Sequence, residues 1–260
     1  MGISTWTDPS RYGLSLTLGG GEIKLIDLAR VYATIASYGK VPTLNPIVKI
    51  TDYRGRVLEE NVCLTKTADQ KDSGIYAAEA KTGCSLQEVL DPRIAFQLID
   101  ILKDNAARTP AFGARSSLVI ARHPEVAVKT GTSNDLKDNL TLGFTSKYLV
   151  ATWVGNNDAT PMSHIASGIT GAAPIFNRIM TNLLRSEPST EWATPSGMEK
   201  IGVCLYTGTL PCQGCPTKQE WFLKETKPTK ACLPETIKKI EEEKIKSSGQ
   251  LVEPAASTSN

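Results

Sequence analysis

At 260 residues, 40% of them hydrophobic and 22% charged, the chain can bury one core of ordinary size, and a second independent domain is not required. A formal net charge of +2 gives no basic footprint for nucleic acid, so that class of partner is excluded. No apolar run approaches membrane-spanning length, and Met1 to Ser10 lacks the h-region of a signal peptide.

In chain order, the first marked segment is Tyr12 to Glu22, which contains Gly19-Gly20-Gly21. Three glycines before a helix could cradle a phosphate on free N–H groups. No Gly-Lys-Ser/Thr follows and no strand clearly precedes, which argues against nucleotide binding. The helix itself is marked by Ile23, Ile26, Ala29, Ala33 and Ala36 at three- and four-residue spacing, with Glu22 in the first turn and Gly39 and Pro42 as stop signals. Its apolar face is expected to pack under a sheet. Cys63 and Cys84 flank a segment dense in Lys, Asp, Ala and Thr, read as a surface insertion whose ends are either bridged or left as two free thiols. Asp91-Pro92 starts the next helix, with Asp91 as N-cap and Pro92 at the first helical position, and Ile94, Leu98, Ile101 and Leu102 are assigned to its buried side. Arg108, in the Asn105 to Gly113 segment that follows, is read as a solvated or structural ion-pair residue.

The stretch Glu125 to Asp135 contains Lys129-Thr130-Gly131-Thr132-Ser133. Val126 and Val128 alternate with Ala127 and Lys129, so the run reads as an edge strand, with Lys129 and Gly131 on one face and Thr130 on the other. Gly131 lets a ligand or a second backbone approach closely, which suits a peptide that docks by strand addition with its carboxylate near Lys129 and the hydroxyls. A second Lys-Thr-Gly, Lys81-Thr82-Gly83, follows a polar and Ala-rich stretch without β-branched alternation and reads as a loop. Asn139 to Thr145 and Tyr148 to Gly155, separated by Ser146-Lys147, complete a three-strand antiparallel meander. Asn156-Asn157-Asp158 ends it, and Gly171-Ala172-Ala173-Pro174 opens a helix through Leu184.

Composition shifts after Leu184. Residues 187–199 read as linker, and four of the six cysteines follow: Cys204, Cys212, Cys215 and Cys232. Cys212-Gln213-Gly214-Cys215 has the spacing of a zinc-knuckle half-site or a redox pair. Two disulfides are the more economical reading outside the cytoplasm, and a metal site remains the alternative. Ile237 to Lys246 is a short charged helix, and Ser247 to Asn260 is too poor in apolar residues to order itself.

Lys129 to Asn134, Asp138-Asn139, Gly143-Phe144-Thr145, Trp153 to Asp158 and Gly168 to Pro174 closely resemble the last part of the transpeptidase domain in the class A penicillin-binding proteins, the bifunctional peptidoglycan synthases, of a 1C-like kind. Lys-Thr-Gly is a signature of that family and of class A β-lactamases. The resemblance begins near Ile3 and includes Tyr12 to Glu22. Leu205 to Pro234 resembles a C-terminal extension found in some of these synthases. It implies an α+β fold, an antiparallel sheet with packed helices of the β-lactamase/transpeptidase type, present as a partial domain. The expected layout is residues 1–186 as the C-terminal portion of that domain, 187–199 as linker, 200–236 as the Cys-bearing extension and 237–260 as the tail. By the same resemblance, Lys129 supplies positive charge, Thr130 a hydroxyl for the substrate carboxylate, Gly131 clearance and Thr132 an oxyanion-hole N–H, with Ser133 completing the substrate-binding set. The family attacks the D-Ala-D-Ala end of a peptidoglycan stem peptide through an acyl-serine and binds β-lactams. No cofactor and no metal are implied. The implied compartment is extracytoplasmic, with membrane attachment only through an N-terminal anchor not among these residues.

The family's nucleophile motif is Ser-x-x-Lys and its second motif is Ser-x-Asn. One Ser-x-x-Lys string exists, Ser37-Tyr38-Gly39-Lys40, and it straddles a helix end where the chemistry needs both residues on one helical face. No Ser-x-Asn occurs. Since acyl transfer needs an activated hydroxyl with a base beside it, the chain is expected to be inactive alone. It would begin at Met1 through truncation, a split gene or an incomplete gene model, and its natural partner would be the N-terminal part of the same enzyme. The competing readings are a serine β-lactamase-like fragment and a non-catalytic cell-wall binding or interaction module.

Overall fold

The computed structural model describes residues 1–14, 21–60, 86–133, 136–162 and 167–249. Lys81-Thr82-Gly83, Cys63, Cys84, Gly19, Gly20 and Asn134 lie outside the described residues, as does 250–260 of the expected tail. Two compact units divide the chain, Met1–Pro195 and Ser196–Asn260.

The first unit runs α1 (Leu25–Ala36), β1 (Lys49–Thr51), β2 (Val57–Glu60), α2 (Pro92–Lys103), α3 (Asn105–Phe112), β3 (Ala127–Thr132), β4 (Asp138–Phe144), β5 (Leu149–Gly155) and α4 (Ala172–Leu183). β3, β4 and β5 form the expected antiparallel meander in that order. The tight link between β4 and β5 is set by Thr145, whose hydroxyl accepts from the N–H groups of Lys147 and Tyr148 at 3.2 and 3.1 Å. The β1–β2 hairpin is separate and exposed, and sequence reading did not identify it. Its turn is built by the Asp52 carboxylate, which accepts from the N–H groups of Arg54 and Arg56. An Asp opening a short polar turn between two β-forming runs is the signal that could have found it.

Helices cover both faces of the meander. Ala127 and Phe144 pack with Ile35 of α1 and Ile99 of α2. On the opposite face, Val128 and Val150 pack with Phe176 and Met180 of α4 and with Leu118 and Ile120 of the preceding segment. Phe176 packs directly on β4, where a Cβ on Gly143 would meet its ring at 2.4 Å.

Two helical faces differ from expectation. In α1 the buried residues are Thr34 and Ile35, with Tyr32 edge-on to Phe144, while Ile26 is 56% exposed. The larger side chains, one residue away from the small Ala stripe, take the sheet. Helix α2 buries Ala95, Phe96 and Ile99 with Leu102 beside them, and leaves Ile94, Leu98 and Ile101 exposed. Its apolar residues span more than half of its circumference, opposite Arg93, Gln97 and Asp100, so periodicity alone could not say which part of that arc is buried. Asp91 does cap α2, accepting from the Arg93 N–H at 2.8 Å, and Pro92 is the first helical residue. Among the described residues Arg108 forms no ion pair; it is half-buried and donates to the Leu102 carbonyl at the end of α2. Burial pushes its guanidinium pKa down, with partial compensation from Asp104.

A buried polar cluster fastens residues 189–192 to the start of β3. The His123 Nδ1 lies 2.8 Å from Glu125 Oε1, the Ser189 hydroxyl donates to Glu125 Oε2, and the Trp192 indole donates to the Glu125 carbonyl. Burial pushes the Glu125 carboxyl up, but the hydrogen bonds from His123 and Ser189 outweigh it and hold the group below the usual glutamate range.

In the second unit, β6 (Met198–Cys204) and β7 (Thr217–Leu223) pair antiparallel, followed by α5 (Pro234–Gly249). Pro234 starts this helix three residues ahead of the charged stretch that marked it, as proline at a first helical position allows. Cys204 bonds to Cys215 and Cys212 to Cys232, and Ile237 is buried among them. Three of the sulfurs, those of Cys204, Cys215 and Cys232, lie within 4.8 Å of one another. Oxidised in pairs, they offer no thiolate to a metal.

Three outcomes are expected. Gly143→Ala should destabilise the first unit by about 1–3 kcal/mol through overpacking against Phe176, read by urea unfolding. A carboxyl whose pKa is lowered on folding adds stability above its unfolded value and loses it as pH falls through the folded value. Glu125→Gln should therefore flatten the acid limb of the stability curve, with the difference from wild type shrinking below the ordinary glutamate value of 4.5. An unchanged acid limb would remove Glu125 from the account. In the second unit, replacing Cys212 and Cys232 by Ser should cost about 2–4 kcal/mol, and a chelator should change nothing.

Candidate functional site

β3 is an edge strand of the meander. The Ser133 N–H donates to the Asp138 carbonyl at 3.0 Å, and in the same ladder Gly131 faces Leu140 and Lys129 faces Leu142. Hydrogen-bonded and non-hydrogen-bonded pairs alternate along an antiparallel ladder, so Thr130 and Thr132 turn their N–H and C=O groups away from β4. These groups line the open edge. Lys129 reaches the same side, its Nζ donating to the Thr130 carbonyl at 2.5 Å.

Lys129 is exposed, and Gly131 lies beside it on the same face. A Cβ at Gly131 would find only the Leu140 side chain, at 3.5 Å, and the residue is not in the left-handed region. The fold itself does not require glycine here. Its clearance is on offer to something outside the described chain.

The other face carries a column of threonines. Thr130 pairs with Thr141, and Thr141 with Thr152. The buried Thr152 hydroxyl lies 3.0 Å from the Thr141 carbonyl and 3.1 Å from that of Ala172, and Thr141 Oγ1 donates to the Gly168 carbonyl at 3.3 Å. These bonds hold the turn before α4 against the sheet, beside the open edge. From that turn the Gly168 N–H donates to Thr132 Oγ1 at 3.0 Å. Sequence reading quoted Gly168 but gave it no part. The register of threonines at alternate positions across the hairpin was the available signal.

Ser133 is placed differently from the rest of its set. Its hydroxyl donates to Asp138 Oδ2 at 2.9 Å and accepts from the Asp138 N–H at 2.8 Å, while the Trp153 indole donates to Asp138 Oδ1. The side chain closes the hairpin end. Lys129, Thr130, Gly131 and Thr132 are the residues that the edge brings together.

Ser37 is not among them. It is the C-cap of α1, where the Tyr38 N–H donates to Ile35 and the Gly39 N–H to Thr34, with Tyr38 at φ 53° and Gly39 at φ 90°. This left-handed closure ends the helix before Lys40, so Ser37 and Lys40 do not stand one turn apart on a helical face. Tyr38 is held there by its hydroxyl, which donates to the Ala193 carbonyl, and by edge contact with Trp192. The edge can thus hold an extended chain and an anionic end group, but no serine activated by a helical lysine partner stands beside it among the described residues.

Residues 194–234 match the family model of the penicillin-binding protein 1A C-terminal domain. Over 203 residues the chain is 28% identical to penicillin-binding protein 1A of Rickettsia felis, covering 77% of this chain and 25% of that protein. Over 228 residues it is 28% identical to penicillin-binding protein 1A of Clostridium tetani, covering 84% of this chain and 25% of that protein. The crystal structure of penicillin-binding protein 1A from Haemophilus influenzae superposes with a TM-score of 0.65 at 21% identity, over 84% of this chain and 34% of that one. The chain spans about a quarter of the length of the curated relatives it matches. The family model over the second unit and the relatives over most of the chain point the same way: this chain is similar to the C-terminal part of penicillin-binding protein 1A, and its fold is shared with the solved structure of such a protein.

Proposed function

We propose that this chain supplies the Lys-Thr-Gly wall of a penicillin-binding D,D-transpeptidase acting in peptidoglycan cross-linking outside the cytoplasm. The observation that carries the reading is the open β3 edge, where the outward backbone groups of Thr130 and Thr132 stand beside an exposed cation and a glycine that the fold does not require. A stem peptide ending in D-Ala-D-Ala would add to that edge as a strand, its carboxylate near Lys129 and the hydroxyls of Thr130 and Thr132. The Thr132 N–H would serve as one donor to the developing oxyanion. The nucleophilic serine, its lysine and the second oxyanion donor would come from upstream residues of the same enzyme. β-Lactams would occupy the same wall, with their carboxylate in the same place. The two disulfides of the second unit suit an oxidising compartment.

The purified chain should not be covalently labelled by a fluorescent penicillin; a stable adduct on any serine, Ser37 above all, would overturn the division of labour. Joined to upstream transpeptidase residues of a class A relative, it should label. Lys129→Ala should then slow acylation by about tenfold or more, in line with loss of a charge-assisted contact. Lys81→Ala should leave the rate near wild type, and equal losses at the two lysines would mean the wrong Lys-Thr-Gly was chosen.

A further inference from the structure

Thr132 is exposed at the edge, and its hydroxyl oxygen accepts from the Gly168 N–H at 3.0 Å. A threonine hydroxyl has one proton to donate and two lone pairs to accept with. With a backbone donor seated on one lone pair, the side chain is held in place, and its proton can be given to an acceptor on the open side. Gly168 is itself fixed from behind, because its carbonyl accepts from Thr141 Oγ1 and from the Ala173 N–H in the first turn of α4. The turn is internally braced as well, with the N–H groups of Thr170 and Gly171 donating to the Ser167 carbonyl. A side chain at 168 does not fit without displacement: a Cβ would lie 3.0 Å from the Gly131 carbonyl oxygen and 3.3 Å from both Thr130 Cβ and Thr132 Oγ1.

We propose that Gly168 is a positioning residue for the β3 edge, its N–H holding the Thr132 side chain where the hydroxyl proton can be given to an anionic ligand. This rests on the reading of β3 as a carboxylate-binding edge. Gly168 touches no ligand itself. It acts through Thr132, and its lack of a side chain is what allows the turn to approach the strand.

The test uses the full chain, labelled with ¹⁵N, and acetyl-D-alanyl-D-alanine as probe. Amide exchange at Gly168 should be about five- to tenfold faster in Thr132→Val, as expected for loss of one hydrogen bond, and should return to the wild-type rate in Thr132→Ser. In titrations followed by amide shifts, Gly168→Ala and Thr132→Val should each weaken binding by about five- to tenfold, and the double variant should be no weaker than the worse single one. Melting curves should show every variant folded at the titration temperature, with Gly168→Ala melting below wild type because its Cβ crowds the Gly131 carbonyl. Losses that multiply in the double variant, or Gly168 exchange that ignores Thr132→Val, would overturn the proposal. If Lys129→Ala weakens the probe and Gly168→Ala does not, the edge reading stands and the role of Gly168 falls. If the wild type shows no shift at residues 129–132, both fall.

Discussion

The candidate site depends on how the turn before α4 is pinned to the meander. Thr141 and Thr152 are buried hydroxyls on the sheet face that also carries the core residues Val128 and Val150, and each would be costly to leave unsatisfied. Their partners are carbonyls of Gly168 and Ala172, at the entrance to α4. The same bonds that satisfy two buried polar groups therefore fix where α4 begins. Phe176 then reaches the bare backbone of Gly143 one turn into the helix. Polar and apolar contacts set one geometry from two directions, and the β3 edge inherits its rigidity from both.

The open edge is also an answer to a general hazard. An unpaired strand invites pairing with any other strand, and proteins blunt such edges with charges or bulges. Here the charge is Lys129, an exposed cation that folds back onto the Thr130 carbonyl. An exposed cation in this position guards the edge against pairing with other strands.

The meander was legible because its alternation is local: Val126 and Val128, then two β-rich runs joined by a two-residue link, leave little choice of register. The Asp91-Pro92 helix start was legible for the same reason. Helix faces were not, since the apolar arc of α2 is wider than the strip that packs, and only the sheet decides that Phe96 is buried and Ile101 is not. Within the site, Lys129 to Thr132 could be chosen by residue type, but the fate of Ser133 turned on Asp138 across the hairpin, a pairing that sequence spacing does not reveal. Gly168 lies 36 residues from Thr132, so its contact is a product of tertiary packing alone.

The two disulfides of the second unit overlap in sequence, one spanning Cys204 to Cys215 and the other Cys212 to Cys232. Every peptide bond between Cys204 and Cys232 therefore lies inside at least one closed loop. A single proteolytic nick anywhere in that stretch releases no fragment; the cut ends stay tethered through sulfur. Such a unit tolerates a first scission in that stretch without losing α5.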